Sequence, residues 1–219
     1  MRALGFCVSV EHARFMARVF TEEGLAAGAV WADSSEEERR DALRALAAGR
    51  VQVIFSVDLF NEGIDVPGVD TLLLLRPTDS PTLFLQQLGR GLRKHHGKAL
   101  CTVLDFVGHH RREFRYDRRF RALVGGTRKD LERQIQSGFP FLPAGCSLEL
   151  DAVAREQILE NLRTAVPERW TQKVDELRAL AARGGPVDLA TYLQESGLEL
   201  EELYGGNKSW SDLLADAGE

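Results

Sequence analysis

The stretch "VQVIFSVDLFNEGIDVPGVDTLLLLRP", Val51 to Pro77, sets two apolar runs on either side of a carboxylate-rich connection. "VQVIFSV" and "TLLLLRP" are short, and their apolarity is nearly continuous rather than alternating. That pattern marks strands buried on both faces, as in a parallel sheet covered by helices. Upstream, "ALGFCVSV" (Ala3 to Val10) reads as another such strand. Glu11 to Glu23 follows as a helix, with Phe15, Met16, Val19 and Phe20 at helical spacing and Gly24 as its stop. "AGAVWA" (Ala27 to Ala32) is a third strand. After it, Ser34 and Glu37 have the spacing of a capping box opening a helix whose Leu43 and Leu46 share one face. Downstream, "ALCTVLDFV" (Ala99 to Val107) closes the series. Strand and helix alternating in this way specify an α/β fold, a right-handed βαβ parallel sheet with helices on both faces, over residues 1 to about 108.

Beyond Gly108 the pattern becomes helical. Arg111 to Val124 projects as an amphipathic helix with Arg111, Arg115, Arg118 and Arg119 on one side and Tyr116, Phe120, Leu123 and Val124 on the other. "GFPFLPAG" (Gly138 to Gly145) interrupts with two prolines. From Ser147 only helices are expected: one stripe of Ile158, Leu159 and Leu162, and another of Trp170, Val174, Leu177 and Ala181. Gly184, Gly185 and Pro186 mark its end, and two or three short helices follow, with Leu189, Tyr192, Leu193, Leu203, Trp210, Leu213 and Leu214 as core. The domain boundaries this implies are 1–108, 109–145 and 146–219, the last an all-α region.

The 219 residues carry a net charge of -5, unevenly distributed. Residues 89–133 hold 13 Lys/Arg against 5 Asp/Glu, and the flanking segments are acidic. A basic segment inside an acidic protein is either a footprint for a phosphate-bearing partner or a solvated face. No apolar run is long enough to span a bilayer and no signal peptide is evident, so a cytoplasmic location without a membrane partner is expected. Cys7, Cys101 and Cys146 form no C-x-x-C pair, and His95/His96 and His109/His110 are adjacent rather than three or four apart. A disulfide framework and a metal site are therefore not expected.

In open parallel sheets, ligands sit outside the carboxyl ends of the strands. Two segments there carry chemistry. "DLFNEGIDVP" (Asp58 to Pro67) supplies three carboxylates, an Asn and Gly63. "QQLGRGLRKHHGK" (Gln86 to Lys98) places Arg90 and Arg93 three apart, on one helical face. An arginine fork suits phosphate, yet no phosphate-cradling G-x-x-x-x-G-K-[ST] loop occurs in the chain. Pairing of Arg90 and Arg93 with Glu62 and Asp65 is the structural alternative. "DELR" (Asp175 to Arg178) and "GGNKS" (Gly205 to Ser209) imitate nucleotide motifs without the strand context those motifs need.

Taken in order, "GFCVSVEHARFMARVF", "SVDLFNEGIDVPGVDTLLLLRPT" and "QQLGRGLRKHHGKA" resemble motifs IV, V and VI of the superfamily 2 helicases. The run "LGRGLR" with "GKALCTVLDFVG" is most similar to DEAD/DEAH-type helicase domains linked to restriction enzymes, and "FPFLPAGCSLELD" is similar to their accessory C-terminal region. The resemblance implies a second RecA-like lobe, with ATP and Mg²⁺ held mainly by a first lobe in the same or another polypeptide. By it, Arg90 and Arg93 reach across to the nucleotide as arginine fingers, Gln86 and Gly89 belong to the same Q-x-x-G-R-x-x-R motif, and Gly63 and Asp65 match the G-x-D of motif V. Ser9 and Ser56 are assigned to a nucleic-acid strand, DNA with RNA not excluded, although Val57 stands where a hydroxyl residue is often found. Arg111, Arg115 and Arg118 are expected as additional phosphate contacts. A free-standing nucleic-acid or protein adaptor of the same fold is the competing reading. The acidic tail from Val187, with a single lysine, suits packing or partner docking better than phosphate binding.

Overall fold

The computed structural model describes residues 1–57, 68–78, 80–93, 95–96, 98–106, 116–126, 128–142, 144, 146–164, 169–182 and 187–218, without the side chains of 117, 118, 163 and 164. The chain divides into two compact units, Met1–His109 and His110–Glu219.

The first unit is a five-stranded sheet. β1 (Ala3–Phe6) leads into α1 (Val10–Glu22), then β2 (Ala27–Trp31), α2 (Glu36–Ala47), β3 (Val53–Val57), β4 (Thr71–Leu74), α3 (Pro81–Gly91) and β5 (Thr102–Asp105). The strand order is β2-β3-β1-β4-β5 and every pairing is parallel. Successive side chains of a strand point to opposite faces, and here both faces are filled. Leu4, Phe6, Ile54, Leu72 and Leu74 pack with Leu46 of α2 and with Phe84 and Leu88 of α3. Ala3, Cys7, Val53, Phe55 and Leu73 pack under Ala13, Met16 and Phe20 of α1. The rings of Phe20 and Phe55 meet edge to face, 5.0 Å between centroids. This is the RecA-like arrangement that the apolar runs and the motif order point to.

Two sequence expectations shift in the first unit. The capping box lies one residue later, with Ser35 accepting from Glu38 N and Glu38 closing back on Ser35 N. Ser34 instead turns inward and accepts from Trp31 N at 3.1 Å, closing the turn out of β2. The second shift concerns β5, which is an edge strand rather than one buried on both faces. Leu104 is 46% and Phe106 56% exposed. Its apolar composition matches that of the central strands, and only its place in the strand order sets it apart.

The second unit is helical: α4 (Tyr116–Val124), α5 (Arg128–Ser137), α6 (Ala152–Thr164), α7 (Trp170–Ala181), α8 (Leu189–Ser196), α9 (Leu200–Tyr204) and α10 (Trp210–Ala217). α4, α5 and α6 pack on one another. Phe139, held at φ 55°, tucks its ring onto Phe120 with 6.0 Å between centroids. Few non-glycine residues adopt that backbone conformation, and burial of the aromatic ring offsets its cost. α7 to α10 enclose a separate core of Val174, Leu177, Tyr192, Leu198, Leu203 and Leu213, as the apolar spacing implied. Gly184, Gly185 and Pro186 lie outside the described residues. Among the described residues, no helix is long and apolar enough to cross a membrane.

Candidate functional site

Helix α3 is built to present one face and bury the other. Ser80 caps its start by accepting from Leu83 N at 3.3 Å, and Pro81 occupies the first turn, where its missing N–H costs nothing. Phe84, Gln87, Leu88 and Gly91, spaced i, i+3, i+4 and i+7, are buried against the sheet. Gln86, Gly89 and Arg90 stand on α3 off that buried face, and Arg93 follows two residues past the end of the helix. Gln86, Gly89 and Arg93 are exposed and Arg90 is half-buried. Four residues marked for nucleotide contact therefore form one outward stripe.

Two features that hold this stripe escaped the sequence reading. Gly91 lies where a Cβ would fall 2.5 Å from Cys101 Sγ and 2.8 Å from Leu72 Cδ1, so α3 reaches the sheet only because this residue has no side chain. Its signal was the second glycine of "LGRGLR". The other is Lys98, whose Nζ donates to the carbonyl of Gly91 and, at 3.2 Å, to that of Arg93. A lysine just past a helix C-terminus satisfies carbonyls that have no intrahelical partner and complements the helix dipole.

Ser9 is the N-cap of α1, at the carboxyl end of β1, and its Oγ accepts from His12 N at 3.2 Å. The Glu11 carboxyl is held below the ordinary range by its own main-chain N–H and then by the Ser9 hydroxyl. Ser56 requires a correction. It is 1% exposed, its Oγ donates to Gly5 O at 3.4 Å, and its carbonyl accepts from Cys7 N. A hydroxyl held inside the sheet in this way cannot touch an external strand. Gly63, Asp65 and Glu62, along with Arg111 and Arg115 and the side chain of Arg118, lie outside the described residues.

Within the basic stripe expected here, the placement of Arg119 is also corrected. Arg119 is 3% exposed and faces inward with Tyr116 and Phe120, whereas Leu123 is on the exposed side. Positions 116, 119 and 120 share a helical face, so the arginine follows its apolar neighbours into the interior. Other charges in the basic segment are spent inside the unit. Arg128 donates from its main chain to Glu199 at 2.6 Å and from its guanidinium to Glu202. Arg133 pairs with Asp130. The acidic tail is thus partly the counter-charge of the basic segment. Both motif imitations have structural roles: Arg178 donates to the carbonyls of Asp216 and Ala217 at the end of α10, while Lys208 pairs with Asp216 and lies 4.4 Å from the Trp170 ring centroid.

Comparison with known proteins bears on the first unit above all. Residues 1–95 match the family described as the helicase conserved C-terminal domain. Over 103 residues, 47% of this chain, the sequence is 36% identical to the putative ATP-dependent helicase IRC3 of Saccharomyces cerevisiae. Over 194 residues, 82% of this chain, it is 25% identical to the UvrABC system protein B of Latilactobacillus sakei. The matched stretches span only 15% and 29% of those two proteins. The yeast DEAD-box splicing factor Prp28 shares the fold, with a TM-score of 0.51 at 16% identity over 71% of this chain and 30% of its own. Residues 1–95 therefore match a helicase conserved C-terminal domain, and the fold that carries them is RecA-like.

Proposed function

We propose that the chain is the second motor lobe, with its accessory helical region, of an ATP-dependent DNA helicase or translocase linked to restriction or repair. The observation that carries this reading is the outward stripe along α3 and just past its end, where Gln86, Gly89 with open space beside it, Arg90 and Arg93 lie off the buried face. Arg90 and Arg93 would hold the β- and γ-phosphates, Gln86 would position them, and Gly89 would let the nucleotide approach the helix closely. Bound ATP and Mg²⁺, held mainly by the first lobe, would supply the phosphoryl chemistry that drives the motor. Asp65, with Gly63 beside it in the G-x-D motif, would couple nucleotide state to closure of the lobes. At the other end of the sheet, Ser9 and the amino end of α1 are suited to a strand phosphate. The Ser9 hydroxyl would then exchange its bond to Glu11 for one to phosphate. Arg111, Arg115 and Arg118 would add further contacts to the strand.

The chain has no phosphate-cradling G-x-x-x-x-G-K-[ST] loop of its own, so the arginines by themselves would supply only part of the stabilisation. The test is ATP hydrolysis measured on the pure chain and on a polypeptide that also contains the first lobe. Expected are no turnover by the chain and a large loss in the two-lobed protein on Arg93→Ala, toward the roughly 10³-fold or more seen for such arginines. Hydrolysis by the chain alone that is abolished by Arg93→Ala would overturn the reading. Full activity of the two-lobed Arg93→Ala protein would favour the adaptor instead.

A further inference from the structure

We infer that a cavity at the amino ends of β1, β4 and β5 binds a small phosphoryl anion gripped by Arg2 and His95. The cavity measures about 300 Å³ and is lined by Arg2, Gly68, Asp70, His95, His96 and Lys98, among others. It opens at the end of the sheet opposite to Ser9, and nothing in the proposed motor function uses it. Gly68, at φ +82°, forms its floor. A Cβ on Gly68 would fall 2.9 Å from Arg2 Nη1 and 3.3 Å from His95 Nδ1, so the guanidinium and the imidazole converge on one point above a residue without a side chain.

The charges are arranged for an anion. Lys98 is committed to the carbonyls of Gly91 and Arg93. Asp70 Oδ1 accepts from Arg2 N at 3.0 Å and from Thr71 Oγ1 at 2.8 Å, which fixes the backbone from which the Arg2 side chain projects. Among the described residues, the Arg2 guanidinium has no ion-pair partner, although it is partly buried. A partly desolvated guanidinium gains most from an oxyanion that meets its planar fork with two hydrogen bonds, and an imidazole N–H supplies a third donor. The volume is at the small end for ligand pockets. It accommodates a phosphoryl group with a few attached atoms. Because Lys98 lines the cavity while holding the Arg93 carbonyl, the anion would lie one side chain from the α3 stripe.

The experiment is an amide NMR titration of the 219-residue chain with inorganic phosphate at constant ionic strength. Arg90→Gln and Arg93→Gln are introduced throughout, so that the α3 stripe cannot contribute. Expected is saturable binding with shifts centred on Gly68 and His95. Arg2→Gln should raise Kd about tenfold, the loss of a charge-assisted contact. Asp70→Asn keeps an acceptor for Arg2 N but removes the like charge, and should tighten binding, a gain that misfolding cannot mimic. Shifts that stay linear with phosphate, or a Kd indifferent to Arg2→Gln, would overturn the proposal.

Discussion

Lys98 Nζ donates to the main-chain carbonyl of Arg93 at 3.2 Å and to that of Gly91, so one lysine seven residues past the end of α3 closes that helix and anchors the backbone carrying an arginine of the outward stripe. Replacing it with methionine keeps the aliphatic stem but leaves two carbonyls without their charged donor. A charged hydrogen bond of this kind contributes about 1.5–3 kcal/mol. Lys98→Met should lower stability by about that amount in urea denaturation, and Lys98→Arg should restore part of it. In the two-lobed protein, Lys98→Met should lower kcat for ATP more than it raises KM, because the substitution displaces Arg93 without removing it.

Gly91 and Gly89 should respond oppositely to alanine. At Gly91 the new methyl meets Cys101 Sγ and Leu72 at under 3 Å. Overpacking of this sort costs about 1–3 kcal/mol, more than the helix propensity gained. At Gly89 nothing lies within 4 Å of the new Cβ, and helix propensity alone favours alanine by up to about 1 kcal/mol. Thermal melts of the two variants should therefore move apart. A fall in nucleotide affinity for the more stable Gly89→Ala would identify close approach of nucleotide as the reason for glycine there.

The two serines assigned to a strand separate on the same logic. Ser9→Ala removes a helix cap, which costs about 1 kcal/mol, and should also weaken DNA binding measured by fluorescence anisotropy. Ser56→Ala should cost a comparable amount of stability, since its hydroxyl bonds Gly5 O inside the sheet. Its DNA affinity should match that of the parent protein.

Thiol chemistry gives a direct test of burial. Desolvation pushes the Cys7 thiol up to about 12, and Cys101 is raised for the same principal reason. Cys146 is free and exposed. Since the thiolate is the reactive form, alkylation at neutral pH followed by mass spectrometry should label Cys146 first and leave Cys7 unmodified until the chain is denatured.

The helical region should lose stability in acid. Asp188 is held below the ordinary aspartate value near 3.8 by the main-chain and side-chain groups of Thr191. Asp212 is lowered by the Ser9-like cap at Ser209, hydroxyl first and main-chain N–H second. Asp216 is lowered by the Trp170 indole and then by Lys208. A carboxyl with a lower value in the folded state stabilises above its unfolded value and loses that contribution as pH falls through the folded one. The loss should set in below about pH 4, where these carboxyls begin to be protonated in the unfolded chain while the folded ones are still ionised. Trp170 emission followed during acid titration should report it. Asp216→Asn should flatten that dependence while lowering stability at neutral pH.

Strand and helix periods were legible because they depend on neighbours within one turn or one strand. The continuous apolarity of "VQVIFSV" and "TLLLLRP", the 86/89/90 spacing on α3 and the alternation of elements were enough to place that stripe opposite a buried face. Identity of the caps was legible to within one residue, since Ser34 and Ser35 are the same residue type and only the path out of β2 decides which turns inward.

What only the tertiary structure decided was which residues meet across long stretches of chain. Ser56 is lost to a nucleic-acid role because β3 lies beside β1 and Gly5 offers it a carbonyl. Arg119 is drawn inside with Tyr116 and Phe120, although an isolated helix would leave it in water. β5 stays partly exposed because it ends the strand order, and Arg2, Gly68 and His95 converge because β1, β4 and β5 begin at the same edge. The amino-acid sequence by itself determined the local periods and the chemistry carried by each helix face. Burial, which sets whether a hydroxyl or guanidinium is available to a ligand, depends on partners tens of residues away, and no local pattern encodes them.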